Sequence, residues 1–199
     1  MRFTQTCVVL GVLAVPVLAS AQIKQPGAHR LYGVELEPHL VVEWDDYALC
    51  ANEAFGPGFR ASIPFLDNGP IPRINNNMAI GFGLDWAHAG IRSNCPQYFN
   101  NGVFYGNNLS ADVWTVPVVA QWNFFLLPKI SVFGEAGLVL QHRSYDNYGC
   151  ANGNFCGTAS DNGVNGSFSA GGRFLVTDSV GFLLRLGFPY LSAGVSILL

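Results

Sequence analysis

Leu31-Tyr32-Gly33-Val34-Glu35-Leu36-Glu37-Pro38-His39-Leu40-Val41-Val42-Glu43-Trp44 is the stretch whose reading decides the fold. Its alternate residues separate cleanly. Tyr32, Val34, Leu36, Pro38, Leu40, Val42 and Trp44 form one set, and Gly33, Glu35, Glu37, His39, Val41 and Glu43 form the other. Successive side chains of a β-strand point to opposite faces, so this is a strand with one apolar face and one acidic face.

The same period recurs along the chain. Segments 31–44, 55–65, 78–88, 112–124, 130–143, 166–176, 179–187 and 190–199 all alternate, and no window beyond the N-terminus carries helical periodicity. Met78, Ile80, Phe82, Leu84 and Trp86 oppose Ala79, Gly81, Gly83, Asp85 and Ala87. Val180, Phe182, Leu184 and Leu186 oppose Ser179, Gly181, Leu183 and Arg185. Most segments reach the roughly 9–11 residues with which a tilted strand crosses a bilayer. The links after the fourth and sixth segments, 126–129 and 177–178, are tight, that after the second, 66–77, is Pro- and Asn-rich, and the long loops 89–111 and 144–165 follow the third and fifth. Short turns at one end and long loops at the other mark an outer-membrane barrel. The expected fold is therefore all-β: an eight-stranded antiparallel up-and-down transmembrane β-barrel with short periplasmic turns and longer extracellular loops.

Composition points the same way. Half of the 199 residues are hydrophobic and 12% are charged, against roughly 25% charged in ordinary soluble domains. Only the extreme N-terminus holds an apolar run near the ~18–20 residues that a spanning helix needs. That run reads as a cleaved signal peptide over 1–21, with Arg2 ahead of the apolar residues and Ala19-Ser20-Ala21 fitting the small-x-small rule. The mature barrel domain is then 22–199. Losing Arg2 takes the formal net charge from −3 to −4, which gives nucleic acid no basic surface to bind.

A soluble lipocalin-like barrel also alternates, but it turns its apolar face inward around a ligand. Three features favour the opposite orientation. The polar faces are rich in small residues, among them Gly58, Gly81, Gly83, Gly137, Gly171, Gly181 and Gly194, which suits a cramped interior. The mature lysines are only Lys24 and Lys129, neither on a strand's polar face. Large aromatics collect towards strand ends, as membrane girdles require, at Tyr32, Trp44, Trp86, Trp114, Trp122 and Phe124. The polar faces then bring Glu35, Glu37, Glu43, Asp85 and Glu135 into one lumen with Arg60, Arg143, Arg173 and Arg185. Desolvated charges are tolerated only when paired, so a lumenal charge network is expected, in a barrel too narrow for a wide pore.

Candidate chemistry is sparse. His142-Arg143-Ser144 resembles the His-x-Ser pair of outer-membrane lipid A deacylases. Such an enzyme needs a carboxylate to orient the histidine, and no glutamate follows Glu135. An enzyme is not expected. His29, His39, His88 and His142 show no ligand spacing, so neither metal nor cofactor is expected. Cys50, Cys95, Cys150 and Cys156 all fall in the long loops, and an even number in an exported chain favours disulfides. Four cysteines allow three pairings, of which Cys150–Cys156 with Cys50–Cys95 is preferred on loop proximity. The loops are also rich in Asn, Gly, Tyr and Phe, a mixture suited to an extracellular ligand that the sequence does not identify.

Phe55-Gly56-Pro57-Gly58-Phe59-Arg60 and Val132-Phe133-Gly134-Glu135-Ala136-Gly137, with the alternation around them, resemble strands of the small outer-membrane β-barrel families of OmpA- and OmpX-like architecture. The resemblance implies passage through periplasmic chaperones, insertion by the barrel-assembly machinery, and partners in outer-membrane lipid and lipopolysaccharide. Members usually end on an aromatic residue, whereas this sequence ends Ile197-Leu198-Leu199. The expected role is a structural or surface-recognition barrel in a bacterial outer membrane, with a charge-filled, largely closed lumen. The alternatives are a lipocalin-like secreted barrel and a lipid A-modifying barrel enzyme.

Overall fold

The computed structural model describes residues 22–43, 54–90, 99–100, 103–104, 110–148 and 157–199, without the side chains of 99–100, 103–104, 145–148 and 157–159. The expected signal peptide, Trp44 and the cysteines Cys50, Cys95, Cys150 and Cys156 lie outside the described residues. The elements are β1 (Glu35–Glu43), β2 (Ala54–Leu66), β3 (Asn76–Gly90), β4 (Phe99–Asn100), β5 (Val103–Phe104), β6 (Ser110–Leu127), β7 (Ile130–Tyr148), β8 (Gly157–Leu175), β9 (Val180–Phe188) and β10 (Tyr190–Leu198), preceded by a 3-10 turn, Gln22–Lys24. β4 and β5 pair only with each other.

The other eight strands close on themselves in the order β1-β10-β9-β8-β7-β6-β3-β2. Every pairing is antiparallel, and β1 seals the cylinder by pairing with β10, from Glu35 opposite Leu198 to Glu43 opposite Tyr190. The expected all-β, eight-stranded up-and-down barrel is therefore the fold, and closure leaves its ladder without edges through the wall.

Alternation sets which side of the wall each residue takes. Along β1 the inward Glu35, Glu37, His39, Val41 and Glu43 are buried, while Pro38 and Leu40 between them are exposed. β9 repeats this, with Gly181, Leu183 and Arg185 inside and Phe182, Leu184 and Leu186 outside. Phe168 and Phe182 stay 65% and 63% exposed, whereas Arg60, Arg185, Glu35 and Glu37 are at 0%. The polarity is thus inverted relative to a water-soluble protein.

One expectation is corrected. Residues 144–165 are mostly strand rather than loop, because β7 and β8 pair as far as Tyr148 opposite Gly157, with one register shift between Tyr145 and Tyr148. At 19 residues each they are about twice as long as a bilayer crossing requires. Asp146, Asn147, Asn162, Gly163 and Asn165 have low strand propensity, which is why local reading placed a loop there; the ladder to the neighbouring strand overrides it. β9 reaches up β8 only as far as Phe168 opposite Phe188, so the β7–β8 hairpin stands above the β9–β10 hairpin.

The interior leaves little room at its glycines. A Cβ on Gly171 would collide with the Phe133 ring and the Leu184 carbonyl, whereas one on Gly166 would meet nothing within 4 Å. Gly171→Val is expected to lower the unfolding midpoint in detergent by an overpacking cost of about 1–3 kcal/mol. Gly166→Ala should leave the midpoint unmoved, and equal effects at both positions would contradict this packing.

Candidate functional site

The lumen is the only place where the strands bring ionisable side chains together in number among the described residues, and its centre is Glu135. β7 turns this carboxylate inward, and two arginines from opposite parts of the wall reach it. Arg185 of β9 lies with Nε 2.8 Å from Oε2 and donates from Nη2 to Oε1 at 3.0 Å. Arg60 of β2 donates from Nη1 to Oε2 at 3.2 Å. Ser169 and Gln121 donate to the same carboxylate at 2.7 and 3.1 Å.

From there the network spreads along both guanidiniums. Arg185 also donates to Glu37 at 2.7 Å and to Ser192 at 3.1 Å. Arg60 donates to the Tyr190 hydroxyl at 2.8 Å, lies over that ring, and has Asp85 3.9 Å away. Asp85 stands 3.0 Å from His39 Nε2, and His39 Nδ1 is 2.9 Å from the Glu37 carbonyl oxygen. Both ring nitrogens of His39 thus face oxygen atoms.

Nearer the turns, Arg173 binds Glu35 through two guanidinium nitrogens, the Nε bond measuring 2.6 Å, and donates to Ser131 at 3.0 Å. Ser196 also donates to Glu35. The two groups meet through Phe133. Its ring lies 5.3 Å from the Arg185 guanidinium carbon and 5.7 Å from that of Arg173, so a π-face stands where another carboxylate would otherwise be needed. Glu35 and Glu135 are tolerable in this burial because each meets opposite charge and further hydrogen bonds.

Seven of the nine expected lumenal residues therefore meet: Glu35, Glu37, Arg60, Asp85, Glu135, Arg173 and Arg185. Glu43 and Arg143 lie further towards the loop end. They stand beyond Val41 and Val139 on their strands, and both valines belong to an apolar layer with Ala87, Ala111, Val113 and Tyr190. Glu43 is fully buried there, and half-buried Arg143 donates to Gln141 at 2.8 Å. Sequence reading missed Phe133 and Tyr190, although both are aromatics at inward positions of otherwise polar faces, and that break in parity was the available signal.

The turn end is closed by a device that the sequence also hid. Residues 22–32 fold across it, while Gly33 and Val34 still bond the Leu199 backbone and continue the β1–β10 ladder. Asn75 N–H donates to the Ile23 carbonyl, and Asn75 Oδ1 lies 2.6 Å from His29 Nδ1. His29 stacks on Phe125 at 4.2 Å between centroids. Asn77 donates to the Tyr32 hydroxyl at 3.2 Å and accepts from Asn123 at 2.8 Å. Tyr32 is thereby corrected. It is not an outer girdle residue but is 8% exposed, packed with Phe125 and Leu198, because it precedes the last ladder bonds, those of Gly33 and Val34 to Leu199. Trp86, Trp114, Trp122 and Phe124 do lie on the outer wall, and Trp86 and Trp114 face each other across β3 and β6.

His142 and Ser144 share the outer face. The His142 ring, however, meets the Asn162 amide oxygen at 2.8 Å, not a carboxylate, and Ser144 stands opposite Asp112.

No family model matches this chain, and no curated protein matches it. Among solved structures it is similar to Neisserial surface protein A, with a TM-score of 0.50 at 14% identity over 84% of this chain and 97% of the other. It is also similar to Ail, the attachment invasion locus protein of Yersinia pestis, with a TM-score of 0.48 at 10% identity over 84% and 99%. At such identities the likeness is one of fold.

Removing one partner of a buried ion pair costs about 3–5 kcal/mol. Arg173→Leu is accordingly expected to lower the unfolding midpoint in detergent, and adding Glu35→Leu should recover most of the loss. A single variant as stable as the parent would show that Glu35 does not depend on this arginine.

Proposed function

We propose that the chain is a bacterial outer-membrane barrel with its lumen closed to solutes, acting through its loop-end surface in a structural or recognition role. The observation that carries the reading is the inverted wall: Phe168, Phe182 and Leu186 are largely exposed, while Arg60, Arg185 and Glu37 are fully buried. Such a surface is stable against hydrocarbon and unstable in water. An interior packed with paired charge is also a poor host for an apolar ligand, which counts against a lipocalin-like role.

Closure follows from size and content. An eight-stranded barrel is just wide enough for side chains to fill. Here the filling is threefold along the axis: the His29–Phe125–Tyr32 closure at the turn end, the network around Glu135, and the apolar layer around Val41 and Val113. In this reading the turns face the periplasm and the β7–β8 hairpin projects from the cell, offering recognition surface. The signal peptide at 1–21, disulfides among the loop cysteines, passage through periplasmic chaperones and the barrel-assembly machinery, and contact with lipopolysaccharide belong to the same proposal. Catalysis does not, since the His142 ring is held by an amide.

Three measurements test it. Membrane-extracted protein is expected to migrate faster unheated than boiled, and to give no steady current in a planar bilayer. Ohmic conductance by the parent protein would refute closure, and solubility without detergent would refute the membrane reading. On the outer wall, Leu184→Arg should cost about 2–4 kcal/mol of stability in lipid vesicles, and a neutral result would argue that this face does not meet hydrocarbon.

A further inference from the structure

Outside the lumen, the cations Lys24, Arg30, Arg73 and Lys129 stand at the turn end, with Asp67 and Asp178 as the nearby acids among the described residues. Two of these cations are gathered onto one turn. Lys129 Nζ donates to the Val176 carbonyl at 3.0 Å, and Arg30 Nη1 donates to Ser179 Oγ at 2.8 Å. Residues 176–179 form the β8–β9 turn, closed by the Val176 N–H bond to the Val180 carbonyl. Both side chains are exposed. An ammonium has three donors and a guanidinium five, so each keeps further N–H groups for a ligand.

The outer wall next to this turn carries a shallow, open depression. A groove of about 840 Å³ crosses β7, β8, β9, β10 and β1, where Gly172 and Ala193 leave space between Val132, Phe174, Phe182 and Leu184. The small side chains make the hollow, and the lining side chains that face outward are apolar. Ile130 follows Lys129 directly, while Phe174 and Phe182 stand two residues from Val176 and Val180. The groove therefore begins about 7 Å along the strands from the cations.

We propose that this groove and turn bind one anionic glycerophospholipid, its phosphate held by Arg30 and Lys129 and an acyl chain lying over Gly172 and Ala193. The site rests on the reading that the outer wall faces lipid with the turns at the inner leaflet. Charge complementarity selects the occupant. Asp178 offsets part of the positive field, and a zwitterionic headgroup brings its own ammonium towards two cations. A phosphatidylglycerol headgroup brings only the phosphate, which a planar guanidinium fork suits. The lipid would occupy wall that a second barrel could otherwise touch.

The test is native mass spectrometry of the full chain released from micelles containing equal phosphatidylglycerol and phosphatidylethanolamine. Preferential retention of phosphatidylglycerol is expected. It should fall roughly five-fold with each of Arg30→Gln and Lys129→Gln, and weaken as salt is raised. Gly172→Phe, at a position where an added Cβ meets only the Ser131 carbonyl oxygen at 3.9 Å, should release both lipids by filling the hollow, and Ala193→Phe should do the same. Equal retention of the two lipids by the parent, or an undiminished preference in the double glutamine variant, overturns the site. The heat-dependent gel shift is read on the same samples. A shift without lipid preference rejects this site alone, whereas no shift and no need for detergent rejects the membrane reading with it.

Discussion

Everything in this barrel depends on a carboxylate that cannot be left alone. Glu135 is buried in the middle of the lumen, and Arg60 and Arg185 reach it from separate parts of the wall. A charge so far from water is tolerable only with opposite charge and hydrogen bonds on all sides. Ser169 and Gln121 supply the remaining donors. Because those donors come from β2, β6, β8 and β9, the carboxylate on β7 ties its two neighbours, β6 and β8, to β9 and β2 further round the wall. Backbone pairing closes the cylinder, and the network sets what fills it.

The arginines carry a second constraint. Each has more donors than one carboxylate can accept, so each must find several partners. Arg185 meets Glu37, Glu135 and Ser192, and Arg60 meets Glu135, Tyr190 and Asp85. Phe133 presents its ring to Arg173 and Arg185. Small residues on the facing strands make room, as at Gly171, where any side chain would enter the Phe133 ring. Composition and packing are therefore two views of one requirement: large charged groups on some strands, almost nothing opposite them on others.

At the turn end the chain meets a different problem, since the barrel mouth would otherwise admit water to Glu35 and Arg173. Residues 22–32 answer it by folding back across the opening, pinned by Asn75 and Asn77 and stacked on Phe125. The consecutive asparagines at 75–77 are each almost fully buried and each spends its side chain on a separate partner. That turn is structural apparatus for closing the barrel as well as a link between β2 and β3.

The strands, their inward and outward faces and the sign of the wall were legible from sequence, because alternation is a local property: Glu35 and Leu36 point opposite ways whatever lies across from them. The list of lumenal charges was legible for the same reason. Pairing was not. That Arg173 meets Glu35 while Arg185 meets Glu37 and Glu135 follows from the stagger at which eight strands close, and stagger is carried by no single segment. The strands hidden in 144–165 and the inward turn of Tyr32 were likewise settled by neighbours remote in sequence: β8 across from β7 in one case, Phe125 and Leu198 in the other. Sequence alone determined which residues share a side, since that needs only the two-residue period of a strand. Tertiary structure decided which of them touch, because contact depends on register around a closed ring.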